Sequence, residues 1–142
     1  MKEFSERTYR LLRFSGWYIE RSVDIQQYQS MLSAGGYEVF PVVEDILSIF
    51  GGLRIIYPAD CEQGVMGEIL FEPSVALKMV PINFVRKCGY KINKKLCLVG
   101  LIYETDALLI AEDGTVYNAF DDHLNLIGNN IVDSLENVLR IK

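Results

Sequence analysis

The sequence predicts an α+β fold in which helices come first, a mainly antiparallel sheet follows, and a helix ends the chain. Three observations support this order. Apolar residues recur at helical spacing up to Phe50, and from Leu53 onward they form short runs separated by turn residues. Asp113-Gly114, between two such runs, is typical of a hairpin. With 142 residues and no repeat or linker, residues 1–142 are expected to form a single domain.

A helix over residues 41–50 is the most informative element. Its apolar residues lie at positions i, i+3, i+4 and i+7 of one helical face: Val43, Ile46, Leu47 and Phe50. Pro41 occupies a first-turn position that tolerates proline, and Gly51-Gly52 supplies a left-handed stop. A strand is expected to start directly at Leu53 and to close before Pro58.

Two further helices are predicted before this one, over residues 4–14 and 24–34. Gly16 would end the first helix, and Gly35-Gly36 the second. Asp24, with Gln27 three residues later, resembles a capping box. Trp17 follows the first stop and is expected to anchor the core, with an ion pair between Arg21 and Asp24 beyond it.

Strands are expected at residues 53–57, 68–71, 96–103, 107–112 and 115–120, with a short one at 124–126. Residues 73–92 are ambiguous, because Pro73 and Pro81 punctuate them while a helical pattern ends at Gly89. The final helix is capped by Asn129 or Asn130. Its apolar face comprises Ile131, Leu135, Val138 and Leu139, and Glu136 and Arg140 form an i,i+4 pair.

Composition indicates a cytoplasmic globular protein. Half of the residues are hydrophobic, which argues against disorder. The N-terminus lacks the apolar segment of a signal peptide, and the run from Leu96 to Tyr103 is far shorter than the roughly 20 residues of a membrane helix. Cys61, Cys88 and Cys97 are odd in number and lack CxxC spacing, as expected of reduced thiols, and Cys97 lies in an apolar strand typical of the core.

No arrangement of residues points to catalysis, a metal or a cofactor. His123 is the only histidine, which excludes a His-pair metal site. Asp121-Asp122-His123 are consecutive and do not converge on one ion, so a polar loop is the simpler interpretation. Cys61 lies between two acidic residues that disfavour its thiolate. We therefore predict no enzyme, although a hydrolase built from scattered carboxylates stays open as an alternative.

Charge is distributed unevenly around a net charge of −5. Residues 86–95 contain five basic side chains and no acid, whereas residues 96–139 contain eight acids and no lysine or arginine. A merely solvated surface is one interpretation, and an acidic face that attracts a basic partner is the other. Nucleic-acid binding is disfavoured because phosphate contacts need positive charge. The acids chosen as partner-binding candidates are Glu104, Asp106, Asp121 and Asp122.

A family resemblance rests on short motifs in a fixed order. The first half carries Gly16-Trp17 with Arg21, Gly36-Tyr37 with Phe40-Pro41, and Phe50-Gly51-Gly52-Leu53. The second half carries Leu98-Val99-Gly100, Asp113-Gly114-Thr115-Val116-Tyr117 and Leu126-Ile127-Gly128. Together, over nearly the whole chain, they resemble the third subgroup of the SUKH superfamily. One departure is Val99, where a proline is usual in that family.

The resemblance implies a strongly bent sheet flanked by helices, and a role in binding. Bacterial members of the superfamily are immunity proteins that neutralise polymorphic toxins, often nucleases or nucleic-acid deaminases. The expected partner is therefore a cognate protein toxin, and neither nucleic acid nor a membrane. A non-catalytic interaction or regulatory module is the alternative. The residues shared with the family are expected to be structural: Trp17, Phe50, Gly51, Gly52, Gly114 and Tyr117.

Overall fold

The computed structural model describes residues 4–60, 63–103 and 105–140. Within these ranges the chain forms six helices and six strands, in the order α1 (Glu6–Phe14), α2 (Gln26–Ala34), α3 (Pro41–Phe50), β1 (Arg54–Asp60), β2 (Val65–Leu70), α4 (Pro73–Met79), α5 (Ile82–Ile92), β3 (Leu96–Ile102), β4 (Asp106–Ala111), β5 (Val116–Phe120), β6 (His123–Gly128) and α6 (Ile131–Leu139). No helix of the described chain is long and apolar enough to cross a membrane.

The six strands form one open antiparallel sheet in sequence order, β1 to β6, which confirms the predicted α+β class. Among the described elements, helices join only β2 to β3, and the other neighbouring strands are separated by at most four residues of the sequence. The pairing register shifts between Leu98 and Gly100, and bulges of this kind bend a strand. A Cβ at Gly100 would overlap the carbonyl oxygen of Leu70, so glycine permits the close approach of β2 and β3.

Helices cover both faces of the central strands. Side chains of α6 pack over Ile69, Ile102 and Leu108 on one face. Helices α4 and α5 contact β3, where Leu96 lies beside α5 on the other face. Because both of its faces are covered, every residue of β3 is buried.

The helix over residues 41–50 and its glycine stop are confirmed. Phe50 is fully buried, and Gly52 adopts a φ of 83°, a left-handed conformation that favours glycine. The Gly52 amide donates to the carbonyl oxygen of Phe71 at 2.7 Å, and the Phe71 amide donates to that of Leu53 at 2.9 Å. Directly after the end of α3, the backbone of Gly52 and Leu53 therefore pairs with that of Phe71, the residue that follows β2.

Trp17 is buried, as expected of a core anchor, whereas the predicted Arg21–Asp24 ion pair is wrong. Arg21 instead donates to the carbonyl oxygens of Ile49 and Gly51, at 2.7 and 2.8 Å. These acceptors lie at the end of α3, where a helix leaves carbonyls unpaired and attracts a cation. Arg21 thus ties the α1–α2 connection to the glycine stop.

Several element boundaries differ from the prediction. Strand β1 runs through Pro58, because β1 is an edge strand on which a missing amide hydrogen costs no sheet hydrogen bond. Helix α4 occupies part of the ambiguous segment. Helix α5 continues past Gly89, whose missing side chain accommodates the carbonyl of Lys94, and ends at left-handed Asn93.

Helix caps also differ in part. Asp24 accepts from the Gln26 amide at 3.0 Å in a turn that precedes α2, so it is not the cap of that helix. Asn130 caps α6 through the Asp133 amide at 2.8 Å. The predicted pair between Glu136 and Arg140 is wrong, since Glu136 accepts from the Ser5 amide at 2.7 Å and Arg140 donates to Asn137.

The Asp113-Gly114 turn is confirmed as the β4–β5 hairpin and is fastened to the chain before β3. Lys94 forms an ion pair with Asp113 at 2.8 Å and donates to the Tyr117 hydroxyl at 3.0 Å. Asp113 also accepts from the amide and the hydroxyl of Thr115. Hydrogen bonds from Lys94 and Thr115 lower the pKa of Asp113 to about 2.

We expect Phe50→Ala to lower the free energy of unfolding by about 3 to 5 kcal/mol, because it removes a ring packed inside the core. The Phe50 ring stacks on Phe71 with centroids 5.3 Å apart. Phe14→Ala is the matched control, since Phe14 is 89% exposed and its loss should change stability by less than about 0.5 kcal/mol. Urea unfolding followed by circular dichroism measures both, and equal losses would contradict the assigned role of Phe50.

We expect the Asp113 pairing to make stability depend on pH in the acid range. The folded-state pKa of Asp113 lies below its value of 3.8 in the unfolded chain, so its contribution is present above pH 4 and is lost as the pH falls towards 2. Asp113→Asn should lower the unfolding temperature at pH 7 by an amount equivalent to about 1 kcal/mol or less, since the pair is largely exposed, and the difference from the unmodified protein should vanish near pH 2. Glu112→Gln, on the same turn without a partner in the described chain, should show no such dependence.

Candidate functional site

Alternate turns of the antiparallel sheet lie at one end of it. The β1–β2, β3–β4 and β5–β6 connections share this end, and the β4–β5 hairpin lies at the other. Asp106 begins β4, and Asp121 and Asp122 form the β5–β6 turn, so the sheet brings three of the four acidic candidates to one end. We call this the acidic sheet end. Glu104, the fourth candidate, lies outside the described residues.

The carboxylate of Asp106 is engaged within the protein. Its Oδ2 accepts from the side-chain nitrogen of Asn118 at 2.9 Å. Asn118 is only 8% exposed and pairs across the strands with Leu108, which places its amide on the same face as Asp106. The carboxylate of Asp106 thus accepts a hydrogen bond from a buried amide that would otherwise lack a partner, and it contributes to stability in this way.

Asp121 and Asp122 are the available charges of the acidic sheet end. Both are exposed, and neither side chain makes a hydrogen bond or an ion pair within the described ranges. Asp121 has a φ of 54°, a conformation that Asp tolerates better than most residues. Lys91 donates to the backbone oxygen of Asp122 at 3.3 Å and leaves its carboxylate free. The turn therefore presents two unpaired negative charges to solvent.

Two aromatic side chains lie beside these acids. Tyr103 is 43% exposed and Phe120 is 53% exposed. Burial, followed by the nearby charge of Asp106, raises the pKa of Tyr103, and burial raises the pKa of Tyr57 to about 12. The Tyr57 hydroxyl is buried and makes no hydrogen bond in the described chain. Partly exposed aromatic side chains thus lie next to the acids of the acidic sheet end.

Sequence reasoning selected the acids and missed both aromatic residues. The available signal was position, because Tyr103 directly precedes Glu104 and Phe120 directly precedes Asp121. Both residues end predicted strands, 96–103 and 115–120. In the structure Tyr103 directly follows β3 and Phe120 is the last residue of β5, and both rings are accessible.

The other acids of the second half lie elsewhere. Glu112 and Asp113 occupy the hairpin at the opposite end of the sheet, where Lys94 pairs with Asp113. Asp133 and Glu136 lie on α6. The acidic stretch of the sequence is therefore divided between separate surfaces, and it does not form one continuous face.

The residues expected to be structural do not lie at the acidic sheet end. Trp17, Phe50, Gly51 and Gly52 surround the end of α3, and Gly114 and Tyr117 belong to the opposite hairpin. Trp17 contributes to an aromatic cluster in which its ring and that of Phe4 meet edge to face at 5.9 Å.

No metal or catalytic cluster is found in the described part of the chain. It contains no group of three or more His, Cys, Asp or Glu side chains arranged to hold an ion. His123 is exposed at the start of β6. Burial raises the pKa of the Cys97 thiol to about 12, which keeps it protonated and unreactive at neutral pH. Cys61 lies outside the described residues.

The family model of the SUKH-3 immunity proteins matches residues 4–140, nearly the whole chain. The chain therefore belongs to the SUKH-3 immunity protein family. Neither a search of curated proteins nor a search of solved structures found a match.

We expect Asp106→Ala to lower the free energy of unfolding by about 1 to 3 kcal/mol, because it leaves the buried Asn118 amide without its acceptor. Asp121→Asn and Asp122→Ala should each change stability by less than about 0.5 kcal/mol, since neither side chain has a partner within the described ranges and Asn, like Asp, tolerates the positive φ at position 121. Thermal and urea unfolding compare the three variants. If the three variants had equal free energies of unfolding, the hydrogen bond from Asn118 to Asp106 would make no net contribution to stability.

Proposed function

We propose that this protein is a bacterial, cytoplasmic immunity protein that binds and neutralises one cognate polymorphic toxin domain. It acts as a stoichiometric inhibitor and not as an enzyme. Membership of the SUKH-3 immunity protein family is the observation that carries this proposal. The distribution of exposed side chains adds a location for the contact.

The acidic sheet end is the proposed toxin-binding surface. Asp121 and Asp122 supply unpaired charge, and Tyr103 and Phe120 supply apolar area next to it. Charges at the rim of an interface steer association, whereas aromatic anchors at its centre contribute most of the affinity. A stable complex buries roughly 800 Å² on each partner, so the contact extends beyond these four residues onto the neighbouring strands.

The proposed toxin is a nuclease or a nucleic-acid deaminase. Enzymes that act on nucleic acids need a basic surface around the active site, because their substrate carries closely spaced phosphates. The carboxylates of Glu104, Asp106, Asp121 and Asp122 would occupy such a surface as phosphate mimics. The complex would then exclude the nucleic-acid substrate from the toxin.

Growth rescue tests the proposed function itself. A candidate toxin domain is to be sought among the genes next to the one that encodes this protein, and the two proteins are to be co-expressed in a sensitive host. We expect growth to be restored and a one-to-one complex to be isolated. A toxin that kills equally with and without this protein, and that does not bind it, would exclude immunity for that pair and leave a regulatory interaction module as the alternative.

Charge reversal tests the surface. We expect the double variant Asp121→Lys and Asp122→Lys to slow association with the toxin by roughly tenfold or more at low salt, and the difference to shrink as salt rises. Stopped-flow or surface plasmon resonance measurements across a salt series provide the rates. Glu112→Lys is the control at the opposite end of the sheet and should leave the association rate within about twofold. Equal effects of reversal at the two ends would argue against the acidic sheet end while leaving the immunity function intact.

A further inference from the structure

A cleft of about 350 Å³ lies between α5 and the segment that joins α2 to α3. One wall is the segment after α2, with Gly36, Tyr37, Glu38 and Phe40. The other wall is α5 and the residues that follow it, with Ile82, Val85, Arg86, Gly89, Tyr90, Lys94, Lys95 and Leu96. Pockets that bind ligands have volumes of roughly 300 to 1,000 Å³. None of these residues belongs to the acidic sheet end, so the cleft is a separate feature.

The interior of the cleft is apolar. Phe40, Val85 and Leu96 line it and are themselves buried in the core. A bound apolar side chain would itself leave water on contacting this lining and gain the free energy of hydrophobic burial.

Among the described residues, Arg86 is the cation of this cleft for which no partner is found. Lys94 pairs with Asp113 at 2.8 Å, and Lys95 pairs with Glu38 at 3.4 Å. The exposed guanidinium of Arg86 makes no hydrogen bond or ion pair within the described ranges.

The guanidinium lies against the opposite wall of the cleft, because its Nη2 is 3.4 Å from the position that a Cβ on Gly36 would take. Its charge also opposes the rise that burial causes in the pKa of Tyr37, another residue of that wall. A planar guanidinium presents donors that match the two oxygens of a carboxylate. The charge at the cleft therefore favours an acidic occupant.

The facing segment also has unused backbone groups. The backbone amide and carbonyl of Glu38, which lines the cleft, make no hydrogen bonds in the described chain, and Glu38 belongs to no helix or strand. Backbone groups without a partner pair with an extended peptide in recognition by strand addition. The unpaired backbone therefore favours a peptide as the occupant over a compact small molecule, which would fill the cleft and leave these backbone groups without a partner.

We propose that this cleft binds an extended acidic peptide segment, with one apolar side chain seated on Phe40, Val85 and Leu96 and a neighbouring carboxylate on Arg86. The protein that would supply this acidic segment is the toxin, and this assignment rests on the proposed function. The protein would then hold its partner at two oppositely charged places: a basic surface at the acidic sheet end and an acidic segment at the cleft.

Two peptides test the cleft without the toxin. The probe is a capped peptide in which a leucine is flanked on each side by two glutamates, and the control peptide carries lysines in place of the glutamates. We expect the acidic peptide to shift backbone amide resonances of residues 36–40 and 82–96 in the isotope-labelled full chain, with millimolar or tighter affinity. The lysine peptide should produce no saturable shifts there.

Two charge reversals on α5 provide the matched comparison. Arg86→Glu should weaken binding of the acidic peptide by roughly tenfold or more, because it replaces the attracting charge by a repelling one. Lys87→Glu makes the same charge change on an exposed neighbour that does not line the cleft, and should weaken binding by less than about threefold. Unchanged unfolding temperatures verify that both variants fold.

The proposal is overturned if the acidic peptide produces no saturable shifts in the cleft, if the lysine peptide binds equally well, or if the two reversals weaken binding equally. Its failure differs from that of the proposed function. A protein that binds the toxin and rescues growth while ignoring the acidic peptide would keep its immunity function and lose only this second site.

Discussion

The end of α3 is the point on which the arrangement of helices and sheet depends. Gly51 and Gly52 stop the helix within two residues, and Arg21 bonds the carbonyl oxygens that the helix leaves unpaired. The chain then enters backbone pairing with Phe71 at once. Because Phe50 stacks on Phe71 at the same place, the side-chain core and the backbone junction fix one relative position of α3 and the first two strands.

Pairing within the protein decides which charges are free to meet a partner. Asp113 and Lys94 pair with one another and Asp106 holds a buried amide, whereas the Arg86 guanidinium and the carboxylates of the β5–β6 turn have no partner within the described residues. Charges that are already paired gain little from a new contact, whereas unpaired ones attract a complementary group. The net charge of −5 therefore conceals separate acidic and basic regions of the surface, the two that we propose as contacts.

Periodicity and glycine stops predicted most of the fold, since α3, the hairpin and the last helix follow from local patterns. Tertiary contacts determined the rest. Pro58 stays inside β1 because that strand lies at the sheet edge, and α5 passes Gly89 because the carbonyl of Lys94 occupies the space of a side chain. The grouping of Asp106 with Asp121 and the exposure of Phe120 depend on sheet order and helix coverage, which local sequence does not encode.

The open sheet has two edges, and neither offers an uninterrupted row of backbone groups. Pro58 removes one amide from β1, and the register of that strand breaks between Pro58 and Asp60. At the other edge, the side-chain nitrogen of Asn137 donates a hydrogen bond to the carbonyl oxygen of Ile127 in β6 at 2.8 Å, so this oxygen already has a partner. Interrupted edges resist strand-to-strand stacking between copies of a chain. Interruptions at both edges therefore oppose polymerisation of the chain, a property that the inhibitor proposed above would need if it is to stay available one for one to its target.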